Sequence, residues 1–453
     1  MTDHDPVSRR NALAALAVAG AVVGSETARA APQTPDDGGA GGFSQAGSYR
    51  PGTIGAKLKQ TVSVKDPPFN AVGDGRVDDT RAFLAALAAS PEVRVPRGVY
   101  RLTGGLALGK SNALIGDGSD SSILVFAGGG DGIAVQSSFG RLHLTGLDLR
   151  CASPRGGKAL ALSTGSRGYL ADIQITAAPS GRWAYGIWAE NWQTSNFYAV
   201  RIVQSCVVGV HLEWGCNANQ WFGLEVIGSS GPGAIDRAIE MTARSASSGK
   251  VVIFEEYFHG GTFQGYFRKS AIHVAGVAPL MSGIHIENTN PRPSDGADIR
   301  LDGSSAAAIV NAKFAHFQGG SFATSGIVRN LSIADSEASA IVLGPETQET
   351  ALLGVRYGSL DDRGRATTVL GCSNTIGGGV PAVINGSDGL SVRANGTEIA
   401  KLDAGGLVLS GSGAPPLRLG GTTTSSATFS PRPLGYLVAT VGGRQVRIPY
   451  YPA

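Results

Sequence analysis

Short runs of alternating apolar and polar residues recur along the middle of the chain. Successive runs start 27, 27, 23, 29, 33 and 27 residues apart, with Gly, Asn and Ser in the turns between them. Alternation with a period of two predicts β-strands. Recurrence at this spacing predicts a solenoid, because each coil buries its inward residues only by stacking on the next coil. Every position that would point inward is apolar: Ile133/Val135, Leu160/Leu162, Ile187/Ala189, Val210/Leu212, Ile239/Met241, Ile272/Val274 and Ile299/Leu301.

The predicted fold is all-β, a right-handed single-stranded parallel β-helix over residues 61–370. A second strand follows each of the first four runs, as GLDLR, DIQIT, VRIVQ and LEVIG. A β-sandwich is the competing all-β fold, but it requires hairpin turns every ~8–12 residues and gives no reason for a rung register. One helix is predicted from Thr80 to Ala89, with Phe83, Leu84 and Leu87 on one face. We expect this helix to cap the open end of the solenoid.

The first thirty residues have the form of a signal peptide. Arg9 and Arg10 precede an apolar stretch over residues 12–24, and Ala28-Arg29-Ala30 has the small-x-small pattern of a cleavage site. The twin arginines predict Tat export from a bacterial cytoplasm. Sec export is the alternative, because Ala12 stands where the Tat pattern usually has Phe, and a single anchor helix is a third option with a run shorter than the ~20 residues of a membrane span. We therefore expect a periplasmic or extracellular protein with no membrane association after signal removal.

Two further segments flank the predicted solenoid. Residues 31–60 begin with a stretch rich in Gly, Pro, Asp and Ser, which predicts a flexible linker. Residues 371–453 lose the rung register and contain short hairpin-like runs, one of them around Asn395-Gly396. We predict a small C-terminal β module there.

Composition excludes several classes of protein. The chain has 66 Gly among 453 residues and 16% charged residues, against a usual ~25%, which excludes a coiled coil. The formal charge is +3 with no Lys/Arg run, so no nucleic-acid partner is predicted. The four cysteines form no C-x-x-C pair, and for Cys206 and Cys216 we favour two buried thiols over a disulfide.

Residues 62–124 resemble the opening of a known superfamily. The matching pieces are Val64-Lys65-Asp66, Ala71-Val72-Gly73-Asp74-Gly75, Asp78-Asp79-Thr80, Pro96-Arg97-Gly98-Val99-Tyr100 and Ile115-Gly116-Asp117-Gly118. They resemble the pectate lyase-like/rhamnogalacturonase-like parallel β-helix superfamily, which includes phage tailspike-type polysaccharide depolymerases. The resemblance implies a polysaccharide substrate. Residues 54–58 and 446–451 also resemble tailspike-like proteins, many of which are trimers, and this implies a homotrimer.

Some superfamily signatures are missing from the chain. The Asn-Thr-Asp, Gly-His-Gly and Arg-Ile-Lys motifs of polygalacturonases and the Arg-x-Pro-x-x-Arg stretch of typical pectate lyases are absent, so pectin specificity is not implied. The acidic residues Asp74, Asp78 and Asp79 are close enough in sequence to suggest a metal. We predict structural roles for them, in helix capping and turns.

The outward positions of the predicted rungs form columns that carry the candidate chemistry. Successive strands place their outward residues above one another. One column reads Ala134, Ala161, Trp188, His211, Glu240, His273 and Arg300, and the next reads Gln136, Ser163, Glu190, Glu213, Thr242, Ala275 and Asp302. Trp192 and Trp214 follow just past two of the strands. Aromatic rings beside carboxylates suit a sugar, because rings stack on apolar sugar faces and acids act at the glycosidic bond.

These columns leave two glutamate pairs open. Glu190 and Glu213 are one rung apart, ~5 Å at their backbones, near the carboxyl separation of a retaining glycosidase. Glu213 and Glu240 differ by one rung and two residues, roughly 8 Å, within the range of an inverting enzyme. Like charges this close raise one pKa, as a general acid requires.

The leading hypothesis is a secreted enzyme that cleaves glycosidic bonds. Hydrolysis would use Glu190, Glu213 or Glu240 in pairs, whereas β-elimination would use His211 or His273 as base, with Arg300 neutralising a uronate. Trp188, Trp192, Trp214, His273 and Arg300 are the predicted substrate-binding residues. No cofactor or metal ligand set is predicted, and a divalent cation such as calcium stays open. The alternative is a non-catalytic glycan-binding or structural spike-like β-helix, in which the cluster is a solvated face. In either case we predict that Asn196 and Asn219 form a stacked amide ladder and do not act as ligands.

Overall fold

The computed structural model describes residues 52–58, 62–109, 113–138, 142–229, 235–243, 255–370 and 372–374, together with the C-terminal strands. The predicted signal peptide and residues 31–51 of the predicted linker lie outside the described residues. A short helix, α1, spans Ile54–Leu58 within the remainder of that linker. No helix among the described residues has the length and apolar character needed to cross a membrane.

Short strands make up nearly all of the described chain, and the second helix, α2, spans Thr80–Ala89. The strands up to the middle of the solenoid are β1 (Val62–Ser63), β2 (Asp74–Asp78), β3 (Glu92–Val95), β4 (Gly98–Leu102), β5 (Leu106–Leu108), β6 (Ala113–Gly116), β7 (Ser122–Phe126), β8 (Ile133–Ser138), β9 (His143–Cys151), β10 (Gly156–Ser166), β11 (Tyr169–Ala177), β12 (Trp183–Gln193), β13 (Asn196–Val203), β14 (Cys206–Glu213), β15 (Asn219–Ile227), β16 (Arg237–Thr242) and β17 (Glu255–Gly265).

The remaining strands become shorter. The rest of the solenoid contains β18 (Ile272–Ala275), β19 (Ala278–Asn288), β20 (Ile299–Asp302), β21 (Ile309–Val310), β22 (Lys313–Ala315), β23 (Ser321–Ser325), β24 (Val328–Arg329), β25 (Ser332–Ala334), β26 (Glu337–Ala338), β27 (Ala340–Leu343), β28 (Thr347–Gln348), β29 (Ala351–Leu353), β30 (Arg356–Tyr357), β31 (Leu360–Asp362), β32 (Thr368–Leu370) and β33 (Ser373–Asn374). The C-terminal strands are β34 (Leu390–Ala394), β35 (Thr397–Asp403), β36 (Gly406–Gly411), β37 (Ala414–Leu419), β38 (Gly435–Val441) and β39 (Arg444–Tyr450).

Two long parallel sheets form the walls of the coil. Wall 1 has sixteen strands, running from β1 through β3, β6, β9, β11, β13, β15, β17, β19, β22, β25 and β29 to β32, with β2, β4 and β7 beside this path. Wall 2 has eleven strands in the order β31-β27-β23-β20-β18-β16-β14-β12-β10-β8-β5. Strands adjacent in each wall are about one coil apart in the chain, which is the topology of a parallel β-helix. The predicted right-handed parallel β-helix is confirmed.

The predicted register of wall 2 is confirmed residue by residue. Ile133 pairs with Leu160, and the column continues through Ile187, Val210, Ile239, Ile272 and Ile299. Each of these residues is at most 1% exposed. The coils persist beyond the seven predicted runs, because Ile299 pairs with Phe322 and the column continues to Ile341 and Leu360.

A column of left-handed residues bends wall 1 at the same point in successive coils. Positive φ angles occur at Gly146, Asp172, Ala199, Gly223, Gly260 and Gly283, each one residue before an aligned pair position. Glycine adopts this conformation without steric cost, which explains four of the six positions. The bend turns the strand, so that the next residue again points inward.

The helix α2 lies at the N-terminal end of the coil, as predicted. Its Phe83 is buried and packs edge-on against Tyr100, with ring centroids 5.2 Å apart. Leu84, predicted on the buried face, is instead 44% exposed, because the helix rests on the core through Phe83 and Ala86.

The three N-terminal aspartates serve turns, as predicted. The Asp79 carboxylate accepts hydrogen bonds from the backbone N–H groups of Val72 and Gly73 at 2.7 and 3.0 Å, and does not cap the helix through its side chain. Asp78 accepts hydrogen bonds from the Thr80 and Thr103 hydroxyls, which lower its pKa to about 2.

The C-terminal strands differ from the coil in direction. Strands β34 to β37 form an antiparallel meander, and β38 pairs with β39 as an antiparallel hairpin. The predicted turn at Asn395-Gly396 joins β34 to β35 but lies outside the described residues. Cys206 and Cys216 are free and buried, as predicted.

Candidate functional site

The structure brings the predicted charged residues together on the outer side of wall 2. Trp188 on β12 aligns with His211 on β14, and the column continues through Glu240 on β16 and His273 on β18 to Arg300 on β20. In the neighbouring column, Glu190 aligns with Glu213. We call His211, Glu213, Glu240, His273 and their polar partners the wall 2 cluster.

The centre of the wall 2 cluster is covered, although the strand alternation points it outward. His211 is 8% exposed and Glu213 is 2% exposed. Tyr185, on the neighbouring strand β12, packs against the imidazole of His211 with ring centroids 5.1 Å apart and a tilt of 52° between the rings. Burial raises the pKa of Tyr185 most, and the charges of Glu240 and Glu213 raise it further. Neighbouring side chains therefore remove the middle of the column from water, although the sequence pattern predicted only that these residues point outward.

His211 connects the two glutamates. Its Nδ1 lies 2.9 Å from Oε2 of Glu240, and its Nε2 lies 3.3 Å from Oε2 of Glu213. Burial by itself would lower the pKa of His211, but the hydrogen bonds and negative charges of Glu213 and Glu240 outweigh burial and raise it above its ordinary value. His211 therefore tends to hold its proton.

Glu240 has the opposite tendency. Burial would raise its pKa, but the hydrogen bond from His211 and the charges of His211, Arg237 and His273 lower it. Arg237 donates to Oε1 of Glu240 at 2.5 Å and to Oδ2 of Asp295 at 2.8 Å. Both oxygens of Glu240 are thus engaged, and the carboxylate is held ionised.

The next residue of this column after Glu240 is a second histidine, His273. Nε2 of His273 lies 3.0 Å from Oδ2 of Asp302, and its Nδ1 lies 3.9 Å from Oε1 of Glu240. Arg300 donates to Oδ1 of Asp302 at 2.6 Å, and Ser325 donates to the same oxygen. Burial would raise the pKa of Asp302, but the hydrogen bonds from His273, Ser325 and Arg300 and the Arg300 charge lower it strongly. Carboxylates and imidazoles consequently alternate across four rungs, from Glu213 on β14 to Asp302 on β20.

The tryptophans predicted to bind substrate occupy three different environments. Trp188 is half-buried on the outer face, and the Lys158 ammonium lies over its ring, 3.2 Å from the centroid. Trp214 is half-buried just past β14. Trp192 is fully buried in the hydrophobic core. Asn191 has a positive φ of 52°, which turns the chain so that the next side chain points inward, and we therefore leave Trp192 out of the proposed site.

Sequence reasoning missed several members of the wall 2 cluster. Lys158, Tyr185 and Arg237 share a third outer column, three residues before the first. Strict alternation with a period of two would have placed these positions inward, so the sequence pattern could not have found them. Asp302 was placed in a column but given no role. Asp295 follows no strand pattern, because it comes from the segment between β19 and β20.

A buried glutamate inside the coil was also missed. Glu256 is fully buried, and its carboxyl oxygens accept hydrogen bonds from Nδ2 of Asn219 at 2.7 Å and Nε1 of Trp221 at 3.0 Å. Burial raises its pKa to about 8. Asn219 aligns with Glu256, whereas Asn196 aligns with Gln220, so the predicted amide ladder of the two asparagines does not form.

The wall 2 cluster places groups with opposite pKa shifts side by side. Among the described residues, no three His, Cys, Asp or Glu side chains are placed to hold a metal ion. His211 retains a proton while Glu240 stays ionised, and groups whose environments push their pKa values apart can serve as acid and base.

Comparisons with known proteins identify the fold. The chain resembles PfbA, a surface adhesin of Streptococcus pneumoniae, with a TM-score of 0.50 and 11% identity, over 78% of this chain and 97% of that one. The chain has a parallel β-helix fold. Geobacillus virus E2 ORF18 shows 13% identity and a TM-score of 0.49 over 79% of this chain and 70% of that one. A GH87 α-1,3-glucanase catalytic unit from Streptomyces thermodiastaticus shows 17% identity and a TM-score of 0.42, with coverages of 74% and 71%.

Sequence comparison reaches only a small part of the chain. A pre-neck appendage protein of Bacillus phage B103 is 35% identical over 71 residues. The match covers 16% of this chain and 8% of that protein's length. No protein-family profile matches the sequence.

Proposed function

We propose that the protein is an exported enzyme that cleaves glycosidic bonds in a polysaccharide at the outer face of wall 2. The observation that carries this proposal is an imidazole, His211, held between two carboxylates with its pKa raised, one rung from Trp188 and Glu190. Export rests on the twin arginines, Arg9 and Arg10, of the N-terminal sequence.

The burial of Glu213 changes the role that it can take. A carboxylate that is 2% exposed and directed at Nε2 of His211 cannot reach a sugar carbon. We assign Glu213 the positioning of the imidazole, in the way that a buried carboxylate fixes a catalytic histidine. Glu240 holds the other ring nitrogen and keeps the imidazole charged.

Within this proposal, hydrolysis fits better than β-elimination. The substrate displaces Glu240 from Nδ1 of His211, and this nitrogen donates its proton to the glycosidic oxygen while Nε2 stays against the buried Glu213. The half-buried Glu190 draws a proton from a water molecule, whose oxygen bonds to the anomeric carbon as the glycosidic bond breaks. Glu190 and His211 differ by one rung and two residues, roughly 8 Å at their backbones, which leaves room for water. Elimination would require an unprotonated imidazole, and the raised pKa of His211 opposes it.

A non-catalytic glycan-binding β-helix is the second candidate. The observation that favours it is the internal compensation of charge: Arg237 pairs with both Glu240 and Asp295, as a structural network would. In that case the outer face of wall 2 binds sugar without changing it.

Digestion of a panel of capsular, plant and algal polysaccharides distinguishes the candidates. We expect new reducing ends without the ultraviolet absorbance of an unsaturated uronate, and a fall of at least about 100-fold in rate for His211→Asn and for Glu190→Gln. Glu225→Gln is the matched control, because Glu225 pairs with Arg201 on wall 1 and should leave the rate unchanged. Binding without any product at high enzyme concentration would support the second candidate, and unsaturated product would establish a lyase.

A further inference from the structure

A cavity of about 580 Å³ lies on wall 1, away from the wall 2 cluster. It opens where β9, β11 and β13 begin, and its lining includes His143, Tyr169 and Asn196 from these strands and Arg167 and Thr194 from the turns before them. A concave surface that combines aromatic rings with a few converging polar groups is the usual form of a small-molecule site.

An outer row of aromatic rings ends at this cavity. Tyr198, Phe222 and His259 stack nearly parallel, with neighbouring centroids 4.8 Å apart and interplanar angles of 7° and 17°. Tyr169 departs from the stack by 42° relative to Tyr198, and His143 meets it edge-on at 85°. The parallel rings stack on one another and stabilise the wall, and at the cavity end of the row Tyr169 is 44% exposed and Tyr198 is 36% exposed.

The polar groups of the cavity have no partners within the part of the chain that the structure describes. The side chains of Arg167, Thr194 and Asn196 make no hydrogen bond or ion pair with any described residue, and no acidic residue lines the cavity. On β13, by contrast, the exposed Arg201 is paired with Glu225 at 2.7 Å. The cavity therefore presents an uncompensated guanidinium beside an aromatic ring.

We propose that this cavity binds an anionic sugar unit, such as a uronic acid. The Tyr169 ring packs against the apolar face of the sugar, and Arg167 pairs with its carboxylate, for which a guanidinium has matching geometry. The Thr194 hydroxyl and the Asn196 amide hydrogen-bond to sugar hydroxyls. A polyanion bound only through phosphates would need a row of cations, and among the described residues of the lining Arg167 is the single Lys or Arg.

The site is separate from the proposed catalysis. It lies on wall 1, so it holds a sugar whether the outer face of wall 2 cleaves glycan or only binds it. A wall 2 variant that loses activity should still bind sugar at the wall 1 cavity as the unmodified chain does.

Titration of the full chain with sodium glucuronate, and with glucose as the neutral analogue, tests the proposal by ligand-observed NMR. We expect glucuronate to bind more tightly than glucose. Arg167→Gln should weaken glucuronate binding at least fivefold and leave glucose binding unchanged, and Tyr169→Ala should weaken both. Arg167→Gln replaces one L-residue with another at the same positive φ, so the substitution adds no backbone strain.

Two exposed residues of the same wall supply matched controls. Arg201→Gln removes a guanidinium that is already paired, and Tyr257→Ala removes an outer ring three rungs away. Both should bind glucuronate as the unmodified chain does, with circular dichroism verifying that each variant is folded. Equal binding of glucuronate and glucose, or unchanged glucuronate binding in folded Arg167→Gln, would overturn the proposal.

Discussion

At the scale of single residues, the environment of each charged group decides its protonation more than its type does. Glu240 and Glu256 are both at least partly buried glutamates, yet the pKa of Glu240 is lowered and that of Glu256 is raised. Glu240 has Arg237, His211 and His273 around it, whereas Glu256 has only neutral donors. Where no cation offsets it, burial decides the direction in which the pKa of a carboxyl group shifts.

The raised pKa of His211 depends on Glu240 and can be measured directly. Because Glu240 contributes both a hydrogen bond and a negative charge, Glu240→Gln should lower the pKa of His211. The measurement is an NMR titration of the imidazole C–H resonances, with His211→Asn used for assignment. Glu287→Gln removes a 65% exposed carboxylate near His285 and should leave the His211 titration unchanged. An unaltered His211 pKa in Glu240→Gln would contradict the proposed pairing.

Glu256 makes the stability of the coil depend on pH. Its pKa is about 8 in the folded chain and 4.5 as its ordinary value, so between these pH values the folded chain holds a proton that the unfolded chain releases. The stability that this proton supplies is complete below about pH 4.5 and is lost as pH rises to about 8. The difference in unfolding free energy between the unmodified chain and Glu256→Gln should fall by up to about 1.4 kcal/mol per pH unit.

Urea unfolding from pH 5 to pH 9 checks this expectation. The Gln amide places a second donor near Asn219, and this change can have a free-energy cost that does not depend on pH. Such a cost shifts the difference in unfolding free energy equally at every pH and leaves the slope of that difference against pH unchanged. A difference that stays constant with pH would show that Glu256 is ionised in the folded chain.

At the scale of elements, the left-handed column of wall 1 controls where each strand bends. Gly223 has a φ of 65°, and a Cβ built on it meets nothing within 4 Å. Ala199, one rung before, already carries a side chain at a φ of 49°. The two positions therefore differ in residue type while sharing a conformation.

We expect Gly223→Ala to destabilise the protein by about 1–2 kcal/mol, because the left-handed conformation alone is strained for an L-residue. Gly223→Asn should cost less, since Asn tolerates this region better. Ala199→Gly is the matched reverse change and should be neutral or stabilising. Denaturant midpoints measure all three, and a neutral Gly223→Ala would mean that the bend can move along the strand.

At the scale of the whole molecule, each coil is stabilised mainly by packing against the coils next to it. Phe197, Trp221 and Phe258 stack inside wall 1, with centroid distances of 3.8 and 5.6 Å, and each ring belongs to a different rung. Since each coil contacts mainly its neighbours, a defect in one rung should act locally before it acts globally.

Trp221→Ala should leave a cavity costing about 3–5 kcal/mol. In hydrogen exchange read by mass spectrometry, we expect protection to fall first in β13, β15 and β17, and to persist in β4, β7, β27 and β31. Phe322→Ala is the matched control, because it should move the loss of protection to β20, β23 and β27. A uniform loss along the coil in both variants would indicate a single cooperative unit.

The accuracy of the sequence predictions follows the periodicity of the chain. The wall 2 register and the alignment of Trp188, His211, Glu240 and His273 were predicted correctly, because alternation and rung spacing are local properties. Leu84 and Trp192 were misplaced. Both depend on a local departure from regular geometry, a helix resting on two residues in one case and a left-handed turn at Asn191 in the other.

The chain's own pattern is enough to specify the coil, its register and the identity of the residues in each outer column, because every rung repeats one short-range rule. Folding in three dimensions decided which of those residues are covered, which carboxylate each imidazole contacts, and that Asp295 and Arg237 join the wall 2 cluster. Burial and ion pairing are set by neighbours on other rungs and in connecting segments, and it is these neighbours that separate the protonation of Glu240 from that of Glu256.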